Sequence, residues 1–165
     1  MIERALNVKD LPALLALQCS VKAGMTQEDW LFPCEEEELS FILNGGGYAL
    51  GLFEEEKLLG AWLLYYPIGR EDGLGGEIGL DAQKVAHFEL ALLDASLRGK
   101  GLHGQMVEKL TAHCAADGRF THILMTAHPD NLPSLSAFTR RGYTVAATKM
   151  LYGGVLRSIA VKALQ

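Results

Sequence analysis

Cysteine is scarce in this 165-residue chain: Cys19, Cys34 and Cys114 are odd in number, far apart and free of any Cys-x-x-Cys spacing. That pattern supports neither a disulfide framework nor a zinc site, so no metal is expected. Long apolar runs are missing too. Nothing approaches the roughly eighteen residues of a membrane-crossing helix, and Met1-Ile2-Glu3-Arg4 lacks the basic, apolar and small-residue succession of a signal peptide. The expected location is cytoplasmic, with reduced thiols and no membrane partner. Repeats, low-complexity tracts and linkers are also absent, so residues 1–165 read as one domain, for which 49% apolar composition supplies a core.

Positive charge is in short supply through the first part of the chain. Residues 1–96 carry 17 acids against 6 bases and residues 97–165 carry 3 acids against 9 bases, within a net charge of −5. This balance argues against nucleic acid as a partner. The asymmetry favours an anionic ligand on the later part and a cationic one on the earlier part, because summed charge steers ligands over several ångströms. The acidic runs at 35–38 and 54–56 read as solvated faces.

What the sequence does have is a glycine-rich turn between two apolar segments. Residues 87–93 are short and apolar enough for a buried strand, and Leu102, Met106, Leu110 and Cys114 then recur every fourth residue, as one face of a helix does. Between them lies Arg98-Gly99-Lys100-Gly101-Leu102-His103-Gly104. Glycine lets backbone approach a ligand closely, the first N–H groups and positive dipole end of a helix favour an anion, and Arg98 and Lys100 add charge. A phosphate or pyrophosphate is the expected guest. The same glycines spell the Gly-x-Gly-x-x-Gly of a dinucleotide fold, with Asp117 near the distance of a ribose-binding acid. Asp117 precedes Gly118, however, and so reads as the end of the helix.

Along the rest of the chain, residues 2–6 suggest a short strand. A helix over about 11–22 follows, with Asp10 as N-cap and Pro12 in its first turn. Residues 25–33 mix turn formers with large apolar residues and lead into a second helix, whose amino-terminal dipole the 35–38 acids complement and which ends at Asn44-Gly45-Gly46-Gly47. Residues 48–53 and 58–66 read as a hairpin. The glycine-rich stretch 67–81 serves equally well as a cover over a site or as a surface connection. A strand at 84–94, the helix at 101–117, a strand at 120–127, a helix at 132–141 and strands at 143–151 and 155–164 complete the order, which indicates a mixed α/β sheet. Trp30, Phe32 and either Tyr65 or Tyr66, which alternate faces, are candidates for a substrate wall, although core packing is the commoner role for aromatics.

This order and the central turn resemble the GCN5-related N-acetyltransferase (GNAT) family over essentially the whole chain. The family's acyl-CoA signature is Gln or Arg, two residues, Gly, one residue, then Gly or Ala. Here it is Arg98-Gly99-Lys100-Gly101-Leu102-His103, with His103 replacing the small residue and Gly104 one place late. A second segment, from Thr126 through Asn131, Ser134 and Phe138 to Gly142-Tyr143, looks like the family's strand, turn, helix and Gly-aromatic ending. The third is the final hairpin with Tyr152-Gly153-Gly154 and Arg157.

The resemblance implies an α/β (α+β) fold: a mixed, mostly antiparallel sheet with helices on both faces, splayed between the fourth and fifth strands. It implies acetyl-CoA as cofactor, with its arm along Leu93, Asp94 and Ala95, its pyrophosphate at residues 98–104, and Asn131, Ser134 and Phe138 nearby. The reaction it implies is direct acetyl transfer to a primary amine on a small molecule or peptide, by a monomer or homodimer. Glu89 and His87, two apart on the fourth strand, are the base candidates, with Glu89 slightly preferred because family members commonly place an acid there. Asp94, His122 and His128 rank lower. Phe138 stands where the family often has a tyrosine that protonates the leaving thiolate. A non-catalytic acyl-CoA-binding or sensing module is the second reading, and a dinucleotide oxidoreductase the third.

Overall fold

The computed structural model describes residues 1–27 and 30–165, so Glu28 and Asp29 of the mixed 25–33 stretch lie outside the described residues. In chain order the elements are β1 (Ile2–Ala5), α1 (Leu11–Ala23), α2 (Glu36–Phe41), β2 (Gly47–Glu54), β3 (Lys57–Tyr65), β4 (Val85–Leu93), α3 (Leu102–Asp117), β5 (His122–Ala127), α4 (Leu132–Thr139), β6 (Thr144–Leu151) and β7 (Val155–Ala163). The strands are ordered β1-β2-β3-β4-β5-β7-β6. The pairs β1–β2, β2–β3, β5–β7 and β6–β7 are antiparallel and β4–β5 is parallel. A parallel pair needs a crossover, and α3 supplies it. The parallel register runs from Val85↔His122 to Phe88↔Met125 and stops there, although β4 continues to Leu93. This is the mixed, mostly antiparallel sheet with a splayed β4–β5 pair.

The chain divides into two compact units, one of residues 1–65 with 89–103 and the other of residues 66–88 with 104–165, and β4 passes from one to the other. In the first unit, Leu14 and Leu17 of α1 and Leu39 of α2 join Leu63, Tyr65, Leu90 and Leu92 in one apolar cluster. Helical spacing on α1 and strand alternation on β3 put these side chains on common faces. In the second unit, Val85, Leu124 and Ile159 form a core against which Leu74, Ile78 and Leu80 pack. The stretch 67–81 is therefore anchored: it contains a 3₁₀ turn at Gly75–Ile78, and the Gln83 side chain donates to the Arg70 carbonyl at 2.7 Å.

Two local expectations are corrected. Asp10 makes no side-chain cap on α1; it sits at the third position of a short 3₁₀ turn, where Asn7 is the cap and the Asp10 carboxylate accepts from the Asn7 N–H at 2.9 Å. The second helix keeps α-geometry only to Phe41, then continues as a π-type turn over Ile42–Gly46 that ends through Gly45 at φ +103°. Glycine meets that left-handed requirement without a Cβ penalty.

Asp10 also receives both terminal nitrogens of Arg4 at 2.9 Å. The Arg4 hydrogen bonds hold its carboxyl below the usual 3.8. A carboxylate with a depressed folded-state pKa adds stability above its unfolded value, and that contribution is lost as pH falls through the folded one. Arg4→Ala should therefore destabilise the protein at neutral pH but less once acid has protonated Asp10, read as a smaller Tm difference in acid.

Candidate functional site

In the first unit, β4 ends at Leu93 and hands over to a 3₁₀ turn at Ala95–Leu97. The handover is fixed twice: the Asp94 N–H donates to the Leu59 carbonyl of β3 at 2.8 Å, and the Asp94 carboxylate accepts from the Ser96 N–H at 2.9 Å. Hydrogen bonds from Ser96 lower the Asp94 pKa, so its carboxylate stays charged as a turn cap. Gly99 and Gly101 then take φ +76° and +73°, the left-handed region, and nothing lies within 4 Å of where a Cβ on either would stand. The two exposed glycines and exposed Arg98 and Lys100 thus shape an open, cationic approach to the start of α3. Leu102 opens α3. His103 follows, and its Nδ1 accepts the indole N–H of fully buried Trp62 at 3.2 Å. The departure from a small residue at 103 is therefore occupied by a bond to β3.

Glu89 on β4 is partly exposed, and one ligand atom from each of Cys34, Glu38 and Glu89 lies within 4.8 Å of the others. Cys34 is held by the Gln18 side chain of α1, which accepts from the Cys34 N–H at 2.9 Å and donates to its carbonyl at 3.0 Å. All of these groups are buried, and loss of partners for buried donors and acceptors costs about 1–3 kcal/mol each. Gln18→Leu should accordingly destabilise the fold by about 2 kcal/mol or more, measured by denaturant unfolding. Of the wall candidates, Phe32 is exposed, Trp30 is half-buried, and Tyr65 is buried with its ring edge-on to Phe41 at 6.0 Å.

In the second unit, α3 continues through Gly104, where an added Cβ would collide with the Arg141 guanidinium. The third glycine thus admits a cation to the first turn of α3. That guanidinium also donates to the Ala137 carbonyl at 3.0 Å and lies 3.2 Å from the Glu108 carboxylate. Asn131 caps α4, its side-chain oxygen accepting from the Ser134 N–H at 3.3 Å. Phe138 is buried, with Phe88 and Tyr143 both edge-on at 4.9 and 5.0 Å. The Tyr143 hydroxyl pairs with Thr111 at 2.6 Å, and burial pushes its pKa up, so it stays neutral.

His87 is buried, and its Nε2 accepts the Leu74 N–H at 3.1 Å. His122 pairs with Thr121, and His128 accepts the Asp130 N–H. Tyr66 stacks on Phe120 at 4.7 Å. Asp117, the acid of the dinucleotide reading, ends α3 in a two-point pair with Arg119 at 2.6 and 2.8 Å. Sequence reasoning gave no contact to Gln18 or Trp62, whose partners Cys34 and His103 are distant along the chain, nor to Arg141, which fills the space at Gly104.

A family model described as an acetyltransferase (GNAT) domain matches residues 2–144. No curated protein matches the chain. Among solved structures, a GNAT-family acetyltransferase from Streptococcus pneumoniae aligns with TM-score 0.75 at 14% identity, over 99% of each chain. The aminoglycoside acetyltransferase AAC(6')-Ib, in complex with coenzyme A and kanamycin, aligns at TM-score 0.72 and 20% identity over 98% of this chain and 93% of that one. NAA60 of Arabidopsis thaliana, bound to a bisubstrate analogue, aligns at TM-score 0.73 and 14% identity over 98% and 97%. At these identities the likeness is one of fold. No helix among the described residues is long and apolar enough to cross a membrane.

Proposed function

The chain belongs to the GCN5-related N-acetyltransferase (GNAT) family, and from that premise we propose that it transfers an acetyl group from acetyl-CoA to a primary amine by direct attack. The carrying observation is the turn from β4 into α3, where two left-handed glycines leave open space beside main-chain N–H groups. A pyrophosphate fits there: the groups that meet it are main-chain donors at a helix start, and Arg98 and Lys100 balance its charge. The main chain at Leu93, Asp94 and Ala95 would hold the pantetheine arm. Acetyl-CoA supplies an activated thioester; the protein's part is to orient it and to take a proton from the amine.

Glu89 is the base in this reading. It is partly exposed on β4, whereas the Nε2 of His87 is already engaged by the Leu74 N–H and its ring is buried. A carboxylate takes the proton as the amine attacks, and N–H groups near Leu93 polarise the thioester oxygen. The departing thiolate has a pKa near ~8.5, so it leaves without a tyrosine at 138. The chain works as one cytoplasmic domain, monomeric or dimeric. Its acceptor carries positive charge and an apolar or aromatic body, suited to the acidic first part of the chain and to Trp30 and Phe32, whereas Tyr65 is taken up by the apolar cluster.

CoA should raise the Tm and NAD should not, since a ligand bound only by the native state stabilises it. Thiol release across an amine panel then separates turnover from mere binding. Cationic aromatic amines should lead that panel, with KM rising as salt is added, because screening shortens the reach of the acidic field to about 8 Å at physiological strength. Stabilisation by NAD alone would remove the acyltransferase reading, and CoA binding with no turnover on any amine would favour the sensing module.

A further inference from the structure

We propose that Cys34, Glu38 and Glu89 bind a soft divalent metal ion of the zinc class, and that the bound ion withholds Glu89 from proton transfer. The second half rests on Glu89 being the base; the first half does not. The three residues come from separate parts of the chain: the segment after α1, the middle of α2 and the middle of β4. One ligand atom from each lies within 4.8 Å of the others, and no other such group of three or more occurs among the described residues. Zinc bonds of about 2.0–2.3 Å place neighbouring ligands of a tetrahedral site roughly 3.6 Å apart, a distance that side-chain rotation alone can close from here.

The thiol makes this more than a pair of surface acids. Cys34 is only 7% exposed, and its main chain is bonded to the Gln18 side chain. Its sulfur lies within 4.8 Å of a carboxylate oxygen of Glu38 and of Glu89. When a divalent ion binds, the thiol proton leaves to solvent, the sulfur–metal bond forms, and the two carboxylates become ligands. Gln18 fixes the Cys34 backbone through both its N–H and its carbonyl, so the point from which the sulfur rotates is set before any ion arrives. One sulfur with two carboxylates suits zinc or cadmium over magnesium or calcium, and leaves a fourth position for water.

The test is a cadmium titration of the full chain, followed by sulfur-to-metal charge-transfer absorption, in wild type, Cys34→Ser, Glu38→Gln and Cys19→Ser. Cys19 is the exposed thiol. The band should saturate at one ion per chain in wild type and Cys19→Ser, vanish in Cys34→Ser, and need roughly tenfold more metal in Glu38→Gln. A band kept by Cys34→Ser, or lost with Cys19→Ser, overturns the site. So does equal affinity in Glu38→Gln. Zinc should also inhibit acyl transfer by wild type and spare Cys34→Ser. Binding without inhibition supports the site and overturns the withholding of Glu89. A protein that binds cadmium through Cys34 and transfers no acyl group to any amine supports the site and removes the acyltransferase reading.

Discussion

Glu89→Gln should lower kcat/KM for the amine by about 10²–10⁴-fold, the usual worth of a positioned general base. The substitution keeps the size and shape of the side chain and removes only its ability to take a proton. Because Glu89 is partly exposed on β4, Tm and CoA affinity should stay near wild type. The loss should fall on kcat, since a base acts in the transition state and contributes little to ground-state binding. His87 gives the contrast. Its Nε2 accepts a main-chain N–H inside a buried setting, so His87→Phe should lower Tm by leaving the Leu74 N–H without that acceptor. Full activity in Glu89→Gln, with a fall in His87→Gln that Tm does not explain, would move the base to His87.

The parts of the fold that were legible in the sequence are those governed by short periods. Met106, Leu110 and Cys114 repeat every fourth residue and are buried along α3, and the acids at 54–56 sit at the tight turn between β2 and β3. Glycines before a helix announce a left-handed turn for the same local reason: backbone conformation is set within a few residues. Gly99 and Gly101 do take left-handed values. What could not be read are contacts across large separations. The Trp62–His103 bond spans 41 positions and the Gln18–Cys34 clamp spans 16. Nothing in composition or periodicity marks His103 as an indole acceptor or Gln18 as a surrogate strand partner. Asp10 illustrates a different failure. It occupies the place before Pro12 where a cap is favoured, yet Arg4 and the Asn7 N–H compete for its carboxylate, and the two-point ion pair prevails. Arg141 was invisible for a third reason: a glycine inside a helix reads as a weakness, and only the position of the guanidinium shows what Gly104 makes room for.

Gly101→Asp should weaken CoA binding by about 30- to 1,000-fold, while Gly101→Asn costs far less. The pairing isolates charge from shape. Gly101 has φ +73°, and Asp and Asn are the side chains that tolerate this left-handed region best, so both variants can keep the loop. Space is not the obstacle either, since nothing lies within 4 Å of an added Cβ at this glycine. What differs is a carboxylate placed where the start of α3 would receive a pyrophosphate. Two like charges about 4 Å apart repel by about 4 kcal/mol at an effective dielectric of 20, and solvent at this exposed loop reduces that to about 2–4 kcal/mol against the two phosphate charges. Each 1.4 kcal/mol is about tenfold in affinity, which gives the stated range. Calorimetric titration of CoA into the two variants measures the difference directly, with Tm confirming that both are folded. Raising the salt should narrow the gap between Asp and Asn, because the repulsion is screened whereas a steric defect is not. Equal CoA affinity in folded Gly101→Asp, Gly101→Asn and wild type would take the pyrophosphate away from this loop, and with it the observation that carries the acyltransferase reading.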